Sequence, residues 1–386
     1  MAALVDTATI LQERRDIDFS NRILELEPEA GPLTVLLKKL GKSTVDTSIF
    51  HWFESERNPR WTAYAGAGEA SPQTSVPVTS GTGSYFRTGD LIKVPRTGEV
   101  MLVNSVAGDT LTVTRGYGTT TAANLQSGDA LLLMANAYPE NAKAGSPRLG
   151  QPVLKTNYTQ IIRTPVSISG TLDAEKQRAQ PQERVRLQRR SGVEHLVSIE
   201  YNLWFGEPKL DTTPADGPRR TTGGVLYWVT ENVLDVASEN GGNLTYSLFE
   251  QWLEMAFRYG SSTKWLFASP RLISVIDTLA AGKLQMRPRD ETYGIAVRTW
   301  VSAHGEVNII KHNLFEGNEY GKMGVLLDLN TEDLAYVYLP GRDTKLRLNV
   351  GDPDRDGFLD EWLTECGLRF PQAKRHGMIT GVNAAA

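Results

Sequence analysis

Residues 21–41 read NRILELEPEAGPLTVLLKKLG, a stretch with a clear helix signal close to the N-terminus. Its apolar side chains recur at the i, i+3, i+4 and i+7 spacing that places residues on one face of a helix: Leu33, Leu36, Leu37 and Leu40. Pro32 suits the first turn of such a helix, and Gly41 suits its C-terminal end. The spacing therefore predicts a short helix with one apolar face.

An aromatic strand is predicted directly after this helix. Residues 48–60 read SIFHWFESERNPR, in which Ile49, His51 and Phe53 alternate with Phe50, Trp52 and Glu54. A leading segment with an apolar face, followed by a two-sided strand, has little of its own chain nearby to pack against. We therefore expect residues 1–47 to form an arm that buries its leucines on another copy of the protein.

The composition excludes several classes of protein. The chain has 386 residues, of which 40% are hydrophobic and 22% charged, so it has the length for two or three structural units. The sequence contains no apolar run long enough to predict a membrane span and no signal-peptide pattern at its start. A single cysteine, Cys366, excludes an intrachain disulfide framework, and a net charge of −4 argues against electrostatic binding of nucleic acid by the whole chain.

The middle of the chain predicts a separate β-unit. Residues 48–165 are mostly extended, and within them residues 76–135 show short strands punctuated by Gly-Asp turns. Regular spacing of this kind is typical of a small barrel or sandwich.

A long helix and an α/β region are predicted after the β-unit. Residues 181–205 form one helical pattern whose first half is basic. After a linker rich in Pro and Gly, residues 246–259 show an apolar helix face, with Ser247 and Glu250 as a possible capping box. Residues 264–268 predict a buried strand, and Ser269 is expected to cap a second helix.

Five stretches, taken in order, resemble the major capsid proteins of tailed bacteriophages, specifically the Hong Kong 97-like subgroup with a β-rich insertion in the extended loop. They are ILELEPEAGPLTVLLKKLGK at 23–42, FHWFESERNPR at 50–60, RTGDLIKV at 87–94, LTVTRGYGTT at 111–120 and LRFPQAKRHGMITGV at 368–382. The resemblance lies in the order of the pieces and covers most of the chain.

The resemblance implies an α+β, Hong Kong 97-like fold with defined parts. These are an N-terminal arm (1–47), an extended loop (48–165) with the β-insert (76–135), a peripheral domain (166–216 and 340–370) with a long spine helix at about 181–205, and an axial domain (217–339 and 371–386).

The resemblance also implies a function and partners. The chain would be a structural protein that self-assembles into pentamers and hexamers of an icosahedral shell around double-stranded DNA, without sequence-specific binding. It would be assembled in the host cytoplasm and reside in the virion, with portal and scaffolding or decoration proteins as further partners. The alternatives are an encapsulin-like shell subunit, a β-rich tail or carbohydrate-binding protein, and a hydrolase.

No enzyme motif is present in the sequence, and we expect no catalytic site, no cofactor and no membrane association. The nearest metal signal is the first half of a calcium-binding loop, at Asp352, Asp354 and Asp356. The twelfth position of that loop is Leu363 instead of the required Glu. An acidic surface turn is therefore the preferred interpretation, and no metal is expected.

The candidate functional residues are subunit contacts from the arm, the start of the extended loop and the long helix: Leu33, Leu36, Leu37, Leu40, Phe50, Trp52, Phe53, Glu54, Glu56, Arg57, Arg60, Trp61, Arg184, Arg186, Arg189 and Arg190. The helix arginines, with Arg178, are expected to pair with Glu54, Glu56 and Glu69 of a neighbouring subunit. The alternative is that these arginines face nucleic acid.

Overall fold

The computed structural model of the chain consists of two compact units. The first unit comprises residues 1–52 and 155–386, and the second comprises residues 53–154. The structure describes residues 31–68, 73–143, 145–148, 150–175, 183–281, 286–292, 295–329, 334–352 and 354–383. Three sequence predictions lie outside the described residues: the part of the arm before residue 31, the start of the long helix at 181–182, and the roles of Glu69 and Arg178.

The helices, in chain order, are α1 (Pro32–Leu40), α2 (Gly170–Ala174), α3 (Glu183–Phe205), α4 (Val225–Trp228), α5 (Val236–Asn240), α6 (Tyr246–Ala256), α7 (Pro270–Ala281) and α8 (Gly317–Tyr320). The strands up to the long helix are β1 (Lys42–Thr44), β2 (Ile49–Glu54), β3 (Trp61–Ala63), β4 (Ser75–Pro77), β5 (Asp90–Lys93), β6 (Val100–Ala107), β7 (Thr110–Thr114), β8 (Ala130–Asn136), β9 (Val153–Tyr158) and β10 (Gln160–Ser169).

The strands after the long helix are β11 (Lys209–Asp211), β12 (Arg219–Thr221), β13 (Val233–Asp235), β14 (Thr263–Ala268), β15 (Met286–Thr292), β16 (Ile295–Val301), β17 (Glu306–Lys311), β18 (Gly324–Leu327), β19 (Ala335–Tyr338), β20 (Lys345–Arg347), β21 (Gly357–Arg369) and β22 (Gly377–Thr380). The chain thus combines helices with both mixed and antiparallel sheets, which confirms the α+β class.

The second unit is a six-stranded barrel. Its strands follow the order β3-β8-β5-β6-β7-β4, and a bridge between Tyr64 and Val78 joins the two ends of that order. Backbone hydrogen bonds of 3.0 Å from Ala65 N to Pro77 O and from Thr79 N to Ala63 O complete the closure. Closure removes the unpaired edges that an open sheet of this size exposes.

Apolar side chains fill the barrel, and a buried ion pair orders one of its loops. The fully buried core includes Val76, Ile92 and Met101. Glu99 binds Arg115 at 2.7 Å and also accepts hydrogen bonds from the amides of Gly116 and Ala123. The unit starts earlier than the sequence indicated, because β3 at residues 61–63 belongs to the same sheet.

A five-stranded sheet in the first unit supports the long helix. The sheet has the order β1-β19-β21-β10, with β20 beside β21. Strand β10 pairs with β21 in antiparallel register over ten residues, from Gln160↔Cys366 to Ser169↔Gly357. Helix α3 lies on one face of this sheet, since Gln188 O accepts a hydrogen bond of 2.9 Å from Trp362 Nε1.

A seven-stranded mixed sheet forms the α/β part of the first unit, in the order β13-β22-β18-β14-β17-β16-β15. The predicted strand at 264–268 is β14, which is parallel to β17 and antiparallel to β18. Ser269 caps α7, as predicted, through Leu272 N at 3.3 Å. The predicted capping box at Ser247 and Glu250 is wrong, because Thr245 Oγ1 accepts from Leu248 N and Glu250 binds Ser302 Oγ instead.

Within the described part of the chain, no helix has both the length and the apolar character needed to span a membrane.

The separation into two units leads to a test of independent folding. Replacing residues 61–136 with a Gly/Ser linker should leave the first unit folded, because the barrel core lies within the second unit. Thermal denaturation and limited proteolysis should show α6 and α7 as protected as in the full chain. The same linker in place of residues 246–281 is the matched control and should unfold the α/β part. A protease-sensitive first unit after removal of the barrel would contradict the assignment of two units.

Candidate subunit interface

The arm helix is anchored by a buried carboxylate on the long helix. Glu200 of α3 is fully buried and accepts hydrogen bonds from Leu33 N at 3.0 Å and Thr34 N at 2.8 Å. The Thr34 hydroxyl donates to the same carboxylate at 2.5 Å. Helix N-termini leave backbone N–H groups unpaired, and Glu200 satisfies two of them. Gly31, with φ of +66°, precedes the helix and has no side chain that could serve as the cap.

Two further donors from the same unit hold Glu200 in place. Trp204 Nε1 donates to Oε1 at 3.0 Å, and His312 Nε2 lies 2.8 Å from the same oxygen. A carboxylate only accepts hydrogen bonds, so His312 Nε2 is the donor in this second contact. Trp204 Nε1 also lies 2.9 Å from His312 Nε2, but its hydrogen goes to Glu200, because a protonated ring nitrogen cannot accept it. Burial acts to raise the pKa of Glu200, but hydrogen bonds from His312 and Thr34 outweigh it, so that its pKa lies below the usual value. The site therefore stabilises an ionised carboxylate away from water.

The arm leucines pack on the chain itself. Leu33, Leu36 and Leu37 are at most 1% exposed and belong to one core with Ile199 and Leu203 of α3. The expectation that these three leucines bury on another copy is therefore wrong. The physical reason is that α3 and the two sheets of the first unit supply an apolar surface that sequence proximity does not reveal. Leu40, which is 41% exposed, stays a predicted contact.

The aromatic segment divides into a buried and an exposed part. Phe50 and Trp52 are 6% and 9% exposed and pack with Ala335 and Val337 of β19 in the first unit, so the prediction that they bury on a neighbour is also wrong. In the second unit, Phe53 and Trp61 are 72% and 50% exposed. These two side chains stay predicted subunit contacts.

The charged residues that follow are on the surface of the second unit. Glu56, Arg57 and Arg60 are exposed, and Glu54 is half-buried. Arg60 donates from Nη1 to the Met134 carbonyl at 2.7 Å, which fixes its position over β8. Their roles at an interface stay predictions.

The arginines of the long helix divide into two that are bound within the chain and two that are exposed. Arg184 binds Asp360 through Nε and Nη2, each at 2.7 Å, and Arg186 pairs with Glu183 on its own helix. The prediction that these two arginines pair with a neighbouring subunit is wrong, because carboxylates of the same chain already hold them. Arg189 and Arg190 are exposed and stay candidates for contacts with Glu54 and Glu56 of another copy.

His195, on the same helix, joins α3 to the sheet beneath it. Its Nδ1 lies 2.9 Å from Thr164 Oγ1 of β10, and its Nε2 lies 2.7 Å from Thr364 Oγ1 of β21. Burial, together with the charge of Lys38, lowers the pKa of His195 to about 4. The imidazole is therefore neutral at physiological pH.

The possible metal ligands are not gathered into a site. Among the side chains that the structure describes, no group of three or more His, Cys, Asp or Glu residues is placed to hold a metal ion. Asp352, Asp354 and Asp356 lie exposed in the turn between β20 and β21.

One charged surface was missed in the sequence. On β21, Glu361 pairs with Arg163 of β10 and lies 3.5 Å from Arg347 of β20. Glu365 on the same strand pairs with Arg342. The available signal was Glu361 and Glu365 recurring at even spacing along a strand, which places them on one face.

Comparisons with known proteins agree with one another on the kind of protein. A family model described as the SU10 major capsid protein matches residues 4–383. A curated major capsid protein of Pseudomonas phage PaMx41 is 26% identical over 357 residues, which cover 89% of this chain and 84% of that protein.

Likenesses to solved structures are weaker. A structure from Mycobacterium phage Ogopogo is 11% identical, with 98% of this chain and 99% of that chain covered and a TM-score of 0.49. An encapsulin complex from Synechococcus elongatus is also 11% identical, with 100% and 99% covered and a TM-score of 0.49.

The anchor at Glu200 leads to a stability prediction. Glu200→Ala should lower the free energy of unfolding by about 3–5 kcal/mol, because it leaves His312 and two helix amides without their buried partner. Chemical denaturation of the unassembled subunit measures this. Glu194→Ala, on an exposed position of the same helix, is the matched control and should change stability by less than about 0.5 kcal/mol. Equal effects of the two substitutions would contradict the anchoring role.

The buried histidines lead to a prediction about pH. Burial lowers the pKa of His376 to about 3, as it lowers that of His195 to about 4. Below the ordinary histidine pKa, the unfolded chain binds protons that the folded chain does not, so stability falls as the pH drops from about 6.5 towards 4. Each histidine should account for at most about 2 kcal/mol of that loss at pH 5. Denaturation midpoints that stay constant between pH 7 and pH 5 would contradict it, and His195→Gln should reduce the slope.

Proposed function

The chain belongs to the SU10 major capsid protein family and is the major capsid protein of a tailed phage, and from that premise we propose how it builds a shell. Copies assemble into pentamers and hexamers of an icosahedral shell that encloses double-stranded DNA. The observation that carries the proposal is the family match, which spans residues 4–383. A shell wall needs many repeated contacts between copies instead of one catalytic site.

Some parts of the chain hold the subunit together, and others contact neighbouring subunits. We assign the peripheral domain to residues 166–216 and 340–370, with α3 as its spine helix on the five-stranded sheet. The axial domain comprises residues 217–339 and 371–386, built on the seven-stranded sheet. Residues 48–165 form the extended loop, and the barrel is its insertion.

The exposed side chains of the extended loop support its role in contacts between copies. Phe53 and Trp61 expose large aromatic surfaces in the isolated subunit. Exposed apolar surface of this kind is typical of a protein interaction site. Arg57 and Arg60 lie beside them in sequence and are also exposed. Aromatic and arginine side chains are the types enriched at protein interfaces.

The partners follow from the proposed role. The shell encloses the genome without reading its sequence, and the net charge of −4 is compatible with a wall that does not adhere to DNA. Portal and scaffolding or decoration proteins complete the particle, which assembles in the cytoplasm of the bacterial host.

Assembly of the purified chain tests the proposal. Expressed alone or together with the neighbouring phage genes, the chain should form closed shells or capsomers without added metal or nucleotide. Sedimentation and electron microscopy of the product provide the measurement. Phe53→Ser together with Trp61→Ser should reduce shell yield while leaving subunit stability unchanged, because both side chains are exposed in the subunit.

A compact monomer under all these conditions would contradict the proposal. Shells that form normally with both aromatic side chains replaced would contradict the role of the extended loop only.

A further inference from the structure

One face of the five-stranded sheet is covered by Phe50 and Trp52 at β19, but it carries exposed side chains where β10, β21 and β20 lie side by side. Residues Thr164 and Thr364 point to α3, where both contact His195. Side chains alternate between the two faces of a strand, so that Arg163, Glu361 and Leu363 lie on the opposite face. The register Arg163↔Leu363 places β10 and β21 side by side there.

This exposed part of the face is positively charged. Its cations are Arg163, Arg342, Lys345 and Arg347, here called the cationic face. Arg163, Arg347 and Arg342 keep 60%, 48% and 41% of their side-chain surface exposed, whereas the carboxylates of Glu361 and Glu365 beneath them are 5% and 3% exposed. Two carboxylates cannot neutralise four cations, so the cationic face has a net positive charge. The net charge of the whole chain, in contrast, is −4.

The arginines retain donors for a further partner. Arg163 uses Nε and Nη2 on Glu361, and Arg342 uses Nε on Glu365. A guanidinium carries five N–H donors, so each keeps N–H groups that face solvent. Ile161, opposite Glu365 and 45% exposed, adds an apolar contact to the same face. Such a face suits a carboxylate-bearing protein segment.

An acidic segment of the required kind exists in the chain. Asp352, Asp354 and Asp356 lie exposed in the turn between β20 and β21, here called the acidic turn. None of the three carboxylates forms an ion pair with a residue in the described part of the chain. The turn matches half of a calcium loop in sequence, yet its carboxylates do not gather into a metal site.

The acidic turn does not reach Arg163 in the cationic face of its own chain. Gly357 pairs with Ser169 and Leu363 with Arg163, six residues farther along the strand. At about 3.3 Å per residue, the turn and Arg163 are about 20 Å apart. A contact between them therefore requires two copies.

We propose that the acidic turn of one copy docks on the cationic face of a second copy. The contact joins two different patches, so it is head-to-tail and generates rings when the rotation between copies closes. It rests on the proposed function, because it specifies how neighbouring subunits of the shell recognise one another. Exposed charges of this kind set register and partner choice more than strength.

Disulfide trapping tests the contact directly. Arg163→Cys and Asp354→Cys are combined in one chain, shells are assembled, and the particles are oxidised and run on a non-reducing gel. Because Cα atoms must approach within about 7 Å, a disulfide forms only between copies. The expected result is a ladder of covalent multimers. Each single variant should give dimers at most, and the native Cys366 does not interfere because it is fully buried.

Other pairs of cysteines test whether a different segment of a neighbouring copy occupies the cationic face. Arg163→Cys with Glu56→Cys tests the charged segment of the extended loop, and Arg163→Cys with Glu140→Cys is the control for chance collisions. The proposal would be overturned by intact shells in which Arg163→Cys with Asp354→Cys gives no ladder, or in which only the pair with Glu56→Cys gives one. Either result would leave the capsid function standing. Failure of the unsubstituted chain to form shells would instead contradict the proposed function.

Charge reversal gives an independent readout. Arg163→Glu with Arg347→Glu should reduce shell yield at least about tenfold, and Asp354→Lys with Asp356→Lys in the same chain should restore much of it. Arg219→Glu with Arg271→Glu, at exposed positions outside the cationic face, is the matched control. Circular dichroism of the unassembled subunits separates loss of assembly from loss of folding. Folded face variants that assemble with unchanged yield would overturn the proposal.

Discussion

The buried carboxylate of Glu200 is the contact on which the first unit depends. It joins three segments that are far apart in sequence: the arm helix through Leu33 and Thr34, the long helix on which it stands, and the end of β17 through His312. A charge without partners in this position would cost several kcal/mol, so that the five donors around it must all be in place. The arm helix, the long helix and the seven-stranded sheet are therefore fixed together by one side chain.

This anchor changes the expected role of the arm. A free arm would leave its leucines for a neighbouring subunit, whereas Leu33, Leu36 and Leu37 complete the core of their own chain. The described part of the arm therefore belongs to the folded subunit, and contacts between copies fall to surfaces that the fold leaves exposed. The aromatic side chains Phe53 and Trp61 and the arginines over Glu361 are such surfaces.

Helices and strands were predicted correctly where the residues of a single element determine its structure. The apolar spacing of α1, the cap of α7 at Ser269 and the buried strand β14 were all predicted, because each depends on residues within one or two turns or one strand. The α+β class came from the resemblance to tailed-phage capsid proteins, and the fold confirms it. The tailed-phage capsid resemblance is confirmed by the family match over residues 4–383.

Partners across long sequence separations were not predictable. Apolar spacing shows that Leu36 is buried, but it does not show whether the surface that covers it belongs to the same chain. Arg184 finds Asp360, 176 residues away, and Glu200 finds Thr34, 166 residues away, so their charges gave no local signal of pairing. The barrel closes through Tyr64 and Val78, a pairing that follows from the sheet as a whole and not from either strand. The subunit contacts and the domain roles stay predictions.

Hydrogen exchange of the unassembled subunit tests most directly whether Glu200 fixes the arm within its own chain. The amides of Leu33 and Thr34, which donate to the buried carboxylate, and those of the following turn should exchange as slowly as the amides in the middle of α3, before any shell has formed. The contrary result is that these amides exchange at the rate of an unstructured peptide in the free subunit and become protected only in assembled shells. That result would contradict the account and would show that the arm packs on a neighbouring copy.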